Sequence, residues 1–216
     1  MLLALVGAPA CSKSKPSVEK SPSPTSGGPV MAGFKAVAVQ AVDAGDRPQA
    51  RDKANQVAAQ IVDLVNSYYT VAFIDPAKWG NGQHASLPDL FTGDVKGQVG
   101  SQLQGLALGD LTPRIASVKP DRQEVQVKVW VNDDDMSAPL AAVSTVFEAT
   151  AEAKSKADGP VKISHTMNAL LAADGGGYRI AGGTAQLKAD TSAGAMGARG
   201  RGIDRTVSLG MREMPR

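Results

Sequence analysis

The sequence predicts an α+β domain in which helices pack on one face of an antiparallel sheet. Around residue 60, apolar residues recur every three or four positions, which is typical of the buried face of a helix. After Leu111 the apolar period changes to two, which is typical of strands with one buried face. Gly-, Pro- and Asp-containing stretches separate these strands and indicate hairpin turns. Helices followed by hairpin-linked strands define this fold class.

Composition restricts the classes of function. The chain has 216 residues, of which 43% are hydrophobic, enough for one domain with a packed core. The net charge is +2, with basic ends around a mildly acidic middle, which argues against a nucleic-acid partner. The single cysteine excludes a disulfide framework and a multi-cysteine zinc site. No uninterrupted apolar run approaches the roughly 20 residues that span a bilayer.

The chain opens with MLLALVGAPA, a short apolar stretch that ends in small residues directly before Cys11. Such a stretch has the form of a secretory leader and its cleavage site. It resembles the lipobox of bacterial lipoproteins, which implies that Cys11 becomes the mature N-terminus and carries diacylglycerol and palmitate. The protein would then be exported and lipid-anchored on the extracytoplasmic face of the cell membrane. The alternative is a lone cysteine in a frayed N-terminus.

The two ends of the chain contrast with its middle. Residues 12–33 are rich in Ser, Pro, Gly and Lys and predict a disordered tether after the leader of residues 1–11. Residues 189–216 are rich in Gly and Arg and predict a disordered tail. The folded domain is expected over residues 34–188.

The helical part of the domain comes first. The spacing predicts a long amphipathic helix between Asp52 and Phe73, and Asp75-Pro76 then indicates a stop and a new helical start. A second helical segment is expected from Pro88 to Leu106, broken into two pieces because it contains several glycines. Residues 34–49 fit either an edge strand or an apolar lead-in.

The second half predicts a meander of strands. A strand from Arg114 to Lys119 is expected to turn at residues 119–122, with Pro120 in the turn. Strict alternation follows in EVQVKVWVN. Three further strands are expected over residues 140–153, 161–172 and 178–188.

This order of elements resembles the NTF2-like superfamily. The resemblance lies in the long helix ending in Tyr68-Tyr69, in DPAKWGNGQ, and in LLAADGGGYRIAGG, where Tyr178 replaces the Trp of a common G-x-W-R-I ending. It implies a long helix and shorter helices on a curved antiparallel sheet of four to six strands, which form a cone with a cavity. Homodimers through the convex sheet face are common in this superfamily, and exported actinobacterial lipoproteins of this type are a further resemblance.

Four residues are candidates for the lining of that cavity or of its mouth. His165 alternates with apolar residues along its strand, so it is expected to point into the cone, where it could act as a general base. The alternative is a hydrogen-bonded core histidine. Tyr68, Tyr69 and Trp79 could line the mouth of the cone or close one end of the core. Asp133–Asp135 and His84 lack the spacing of metal ligands, and no cofactor motif occurs.

The sequence therefore leaves hypotheses of different classes open. The first is a membrane-anchored lipoprotein whose NTF2-like domain is a non-catalytic binding or accessory module, for an envelope protein or a small apolar ligand. The alternative is an enzyme of the isomerase or dehydratase kind that uses His165. A third is a role in lipid transport beside an envelope complex.

Overall fold

The computed structural model of the protein describes residues 31–42, 47–131, 139–156, 158–191 and 202–210. Cys11, most of the expected tether and the Asp133–Asp135 loop lie outside the described residues. The expectations for these segments therefore stay predictions.

The predicted α+β class is confirmed: one long helix packs on a curved, unclosed and mostly antiparallel sheet. The six described strands follow one another in chain order across the sheet, from β1 to β6. Their bounds are β1 Lys35–Val42, β2 Ile115–Trp130, β3 Leu140–Ala153, β4 Val161–Asp174, β5 Gly177–Thr191 and β6 Ile203–Leu209. Of the two possibilities for residues 34–49, the edge strand is found, and β1 pairs with β2 in parallel.

The long helix α1 spans Pro48–Tyr69 and continues as one π-helical turn, Thr70–Ile74. It buries the apolar stripe that the sequence predicts, and Tyr68 and Tyr69 are fully buried at its C-terminal end. By length and composition alone, Pro48–Ile74 could cross a membrane, but 61% of its most apolar window is buried inside the protein. A core helix passes the same test, so this is weak evidence for a membrane span.

The segment after α1 follows the predicted stop and restart. The Asp75 carboxylate accepts a hydrogen bond from the backbone N–H of Ala77 (2.9 Å) and caps a short 3-10 helix, Pro76–Lys78. The second helical segment is in two pieces, as expected: a 3-10 turn, Leu87–Leu90, and helix α2, Gly93–Leu106. The break lies at Phe91, which bridges to Ile180 of the sheet, and not at a glycine.

The turn predicted at residues 119–122 is wrong. Strand β2 runs through Pro120, which pairs with Ala149 of β3, and the register shifts just after it. Strand β1 first pairs with β2 at Glu124, so Pro120 has a described neighbour strand on one side only. Proline lacks the N–H of a ladder, and an edge beside an irregularity is where a sheet tolerates it.

The fully disordered tail predicted from residue 189 is also wrong. Strand β5 extends to Thr191, and Ile203–Leu209 forms β6, which pairs antiparallel with β5. Val207 and Leu209 are buried in the core. Arg205 interrupts the apolar alternation of this segment, and its guanidinium instead pairs with Asp110 in two hydrogen bonds of 3.0 Å each.

The N-terminal boundary of the fold lies slightly before the predicted residue 34. Ala32 and Phe34 are buried, and side chains from the body of the fold bind the backbone around them. The N–H of Ala32 donates to the Thr70 hydroxyl (2.9 Å), and the N–H of Phe34 donates to the Asn66 amide oxygen (2.7 Å). Helix α1 thus holds the start of β1 in place.

Candidate functional site between the helices and the sheet

The C-terminal end of α1 and the helix-facing side of the sheet enclose a cluster of rings. Tyr69 and Phe73 come from the helix, Phe147 from β3 and His165 from β4, and Phe34 closes the cluster beside Tyr69. Phe147 and His165 are direct cross-strand neighbours. The centroid distances are 4.5 Å for Phe34–Tyr69, 5.0 Å for Tyr69–Phe147 and 4.8 Å for Phe73–His165, which is direct ring packing. The chain's scarce aromatic residues are concentrated here.

A polar chain runs through this apolar cluster. The Tyr69 hydroxyl shares one hydrogen bond with Thr145 Oγ1 (2.6 Å) and another with His165 Nδ1 (2.9 Å). All three side chains are buried. The other ring nitrogen of His165, Nε2, has no hydrogen-bond partner among the described residues. The three residues lie on a helix and two strands, so the network connects both layers of the fold.

The side chain of His165 points to the helix-facing side of the sheet, as the alternation predicts, and its exposed fraction is 0%. Burial lowers the pKa of His165 to about 3, and the backbone of Gly105 acts in the opposite direction. The imidazole is therefore neutral at physiological pH. Burial raises the pKa of Tyr69 above its ordinary value of 10.0, so the phenol also stays neutral. The network is a neutral, hydrogen-bonded core group.

The other two pocket candidates are buried as well. The Tyr68 hydroxyl donates to the Leu106 carbonyl (2.5 Å), and the centroid of its ring lies 6.1 Å from that of His165. Trp79 is 3% exposed but belongs to none of the close ring pairs of the described residues. The structure therefore brings Tyr68 and His165 together and leaves Trp79 apart.

The space between the helices and the sheet is small where α2 meets the sheet. A recess lined by Phe91, Leu106, Met167 and Leu209 has a volume of about 10 Å³. That is room for about one water molecule. Larger recesses of about 230 and 270 Å³ lie elsewhere, one beside Gln56 and Gln60 of α1 and the other beside Lys162 and Asp190. Neither is lined by His165, Tyr68 or Trp79.

Among the residues that the structure describes, no group of three His, Cys, Asp or Glu side chains could hold a metal ion. His84, which the sequence places in a loop rich in Gly, Asn and Gln, is fully buried. Its Nδ1–H donates to the Val71 carbonyl (3.0 Å), and burial lowers the pKa of His84 below 6.5. His84 therefore joins the loop to the end of α1.

The sequence analysis offered Tyr69 as a residue that could line the mouth of the cone, but it did not offer Thr145, the third member of the polar network, as a site residue. The sequence places Tyr69 at the end of the long helix, and it places Thr145 in the strand expected over residues 140–153, on the same face as Phe147. The sequence does not show that these side chains are in contact with one another, because Tyr69 lies 76 residues from Thr145 and 96 residues from His165 along the chain. A polar residue in an inward row was the only available indication, since buried hydroxyls need partners.

Comparisons with protein-family models, with curated proteins and with solved structures give no match to this chain.

Proposed function

We propose that the protein is an exported lipoprotein, anchored through diacylglycerol on Cys11, whose folded domain is a non-catalytic binding or accessory module. The lipobox-like stretch before Cys11 supports the anchor. Two or more acyl chains suffice for stable attachment, since each buried methylene contributes about 0.8 kcal/mol. In this proposal, residues 12–31 separate the lipid from the first buried residue of the fold, Ala32.

We propose further that the domain is of the NTF2-like type. The long helix, the shorter second helix and the unclosed curved sheet support this assignment, because α1 packs against β1 and β2 and α2 packs against β5 and β6. The architecture by itself does not indicate an activity, since one fold serves many functions.

The complete burial of His165 is the observation that favours a non-catalytic role. A general base must come within hydrogen-bond reach of the proton that it removes. The His165 side chain has no exposed surface, one nitrogen engages Tyr69, and three aromatic rings pack around it. These contacts favour a core histidine over a catalytic base, and a domain that meets its partner on the outer surface.

The lipid anchor is tested by Cys11→Ser, with Ser12→Ala as the matched control that keeps the acceptor thiol. Both are expressed in an actinobacterial host, and salt-washed membranes are compared with soluble fractions after labelling with a palmitate analogue. Cys11→Ser should lose the label and leave the membrane pellet, while Ser12→Ala should behave as the wild type. Retention of Cys11→Ser in washed membranes, or a mature chain that still carries residues 1–10, would refute the proposal.

A further inference from the structure

Three consecutive backbone N–H groups just before β1 donate to side chains of the fold. The pairs are Ala32 with the Thr70 hydroxyl (2.9 Å), Gly33 with the Gln123 amide oxygen (2.6 Å) and Phe34 with the Asn66 amide oxygen (2.7 Å). The Asn66 amide also donates to the Phe34 carbonyl (3.3 Å), so one side chain binds both backbone groups of one residue. Side chains, and not a neighbouring strand, thus hold the backbone of residues 32–34.

The Phe34 side chain fills an aromatic pocket, called here the Phe34 pocket, formed by Tyr69 and Phe147. Its ring centroid lies 4.5 Å from that of Tyr69 and 6.2 Å from that of Phe147, and the residue is only 2% exposed. Ala32 is also buried, whereas Gly33 between them is exposed. In peptide recognition, main-chain hydrogen bonds give affinity and pockets for alternate side chains give specificity. Residues 32–34 are bound in both of these ways.

The residues on either side of this short segment are held less deeply. Met31 is 63% exposed and Val39, within β1, is 41% exposed. Strand β1 forms the only parallel strand pair of the described sheet, and its register with β2 shifts between Ala36 and Ala38. Parallel pairing is slightly less stable per residue than antiparallel pairing. Residues 32–34 are therefore the most deeply held part of the N-terminal segment.

We propose that Asn66, Thr70, Gln123 and the Phe34 pocket form a peptide-binding site, which recognises residues 32–34 as a ligand and accepts the same segment from a second copy of the chain. Every hydrogen bond that holds the segment is non-covalent, and the bonded residues lie 32 to 90 positions apart in sequence. An identical segment from another copy therefore presents the same groups to the site. The chain's own segment has the advantage of its covalent link, which raises its effective concentration to about the millimolar range. This inference does not depend on the lipid anchor.

The test uses the full chain with Cys11→Ser and a fluorescently labelled peptide of residues 31–42, MAGFKAVAVQAV, whose binding is measured by anisotropy. Phe34→Ala in the chain weakens the competing segment, so this chain should bind the peptide at least roughly tenfold more tightly than the chain that keeps Phe34.

The matched control is the same peptide with Phe34→Ala, which keeps all of β1. It should bind the Phe34→Ala chain at least roughly tenfold more weakly than the wild-type peptide does. Equal binding of the two peptides would mean that the peptide only adds to the edge of the sheet, and this would overturn the proposal. So would the absence of binding of the wild-type peptide up to about 1 mM.

A cross-linking experiment keeps Phe34 in the chain and does not rely on Phe34→Ala folding normally. A Cβ at Gly33 would lie 3.7 Å from the Gln123 side-chain oxygen, so a peptide with Gly33→Cys brings its thiol beside that of a Gln123→Cys chain. With Cys11→Ser in place and under mild oxidation, this peptide should link to Gln123→Cys at least roughly tenfold faster than to Thr206→Cys on the exposed face of β6. Adding Phe34→Ala to the peptide should abolish the difference. Equal rates for the two chains with the Phe34-containing peptide would rule out binding of the segment from a second copy.

Discussion

Tyr69 connects helix α1 to two strands of the sheet through its hydroxyl group. Its hydroxyl contacts Thr145 on β3 and His165 on β4, and its ring packs on Phe73 and Phe147. An unpaired buried polar group costs about 1–3 kcal/mol, whereas a satisfied pair contributes about 1 kcal/mol. Removing the shared hydroxyl therefore has a larger effect than removing a hydroxyl with one partner.

We expect Tyr69→Phe to lower the free energy of unfolding by about 2 kcal/mol, because it leaves His165 Nδ1 without its partner and leaves the Thr145 hydroxyl with only its longer contact to the Met167 carbonyl (3.5 Å). Tyr68→Phe is the matched control, since it leaves one group, the Leu106 carbonyl, without that partner. It should cost about 1 kcal/mol. Urea unfolding at pH 7.5 measures both. Equal losses in the two variants would mean that the Tyr69 network adds nothing beyond one hydrogen bond.

At the scale of elements, the glycines of α2 have different roles. From the sequence alone they only weaken a helix. In the structure, Gly105 lies where α2 crosses β6, and an added Cβ would overlap the side chain of Val207. At Gly97 on the same helix an added Cβ would meet nothing within 4 Å. One glycine therefore permits close packing, and the other is replaceable.

We expect Gly105→Ala to destabilise the protein by about 1–3 kcal/mol through overpacking. Gly97→Ala should instead stabilise it by up to about 1 kcal/mol, because alanine favours the helix. Thermal and urea unfolding of the variants measure both effects.

A double-mutant cycle with Val207→Ala tests the cause of the Gly105→Ala effect. Val207→Ala makes room for the new methyl group, so the two changes together should cost at least 1 kcal/mol less than their sum. Strict additivity would show that the helix end and β6 are not in the contact described.

At the scale of the whole molecule, both histidines of the chain are buried and their pKa values are lowered. The unfolded chain binds protons on these residues near pH 6.5, whereas the folded chain does so only at lower pH. The contribution of these histidines to the free energy of unfolding is therefore fully present above pH 6.5. It is lost progressively as the pH falls towards the folded pKa of about 3 for His165.

We expect the free energy of unfolding to fall by about 2 kcal/mol between pH 7 and pH 5 through His165 alone, with a further loss through His84. His165→Gln removes the larger shift, so its unfolding free energy should change less over the same range. Carboxylates such as Asp110, whose pKa is lowered by Arg205, contribute at lower pH and do not dominate this window. A wild type whose stability is flat from pH 7 to pH 5 would contradict the burial of both imidazoles.

The sequence by itself determined which residues face the core and in what order the elements come. A period of three to four placed Tyr68 on the buried side of α1, and a period of two placed His165 on the inward row of β4. The Asp75-Pro76 restart was also visible, because a cap and its proline are neighbours in the chain. These features depend on local geometry, which fixes the direction of each side chain.

Only the tertiary structure decided what the inward residues touch and where the sheet ends. Pro120 stays in a strand because β1 does not extend beside it, and Arg205 is tolerated in β6 because Asp110, 95 residues away in the chain, pairs with it. Phe34 joins the core because Asn66 holds its backbone. Each outcome depends on a contact between segments far apart in sequence, and local periodicity contains no information on such contacts.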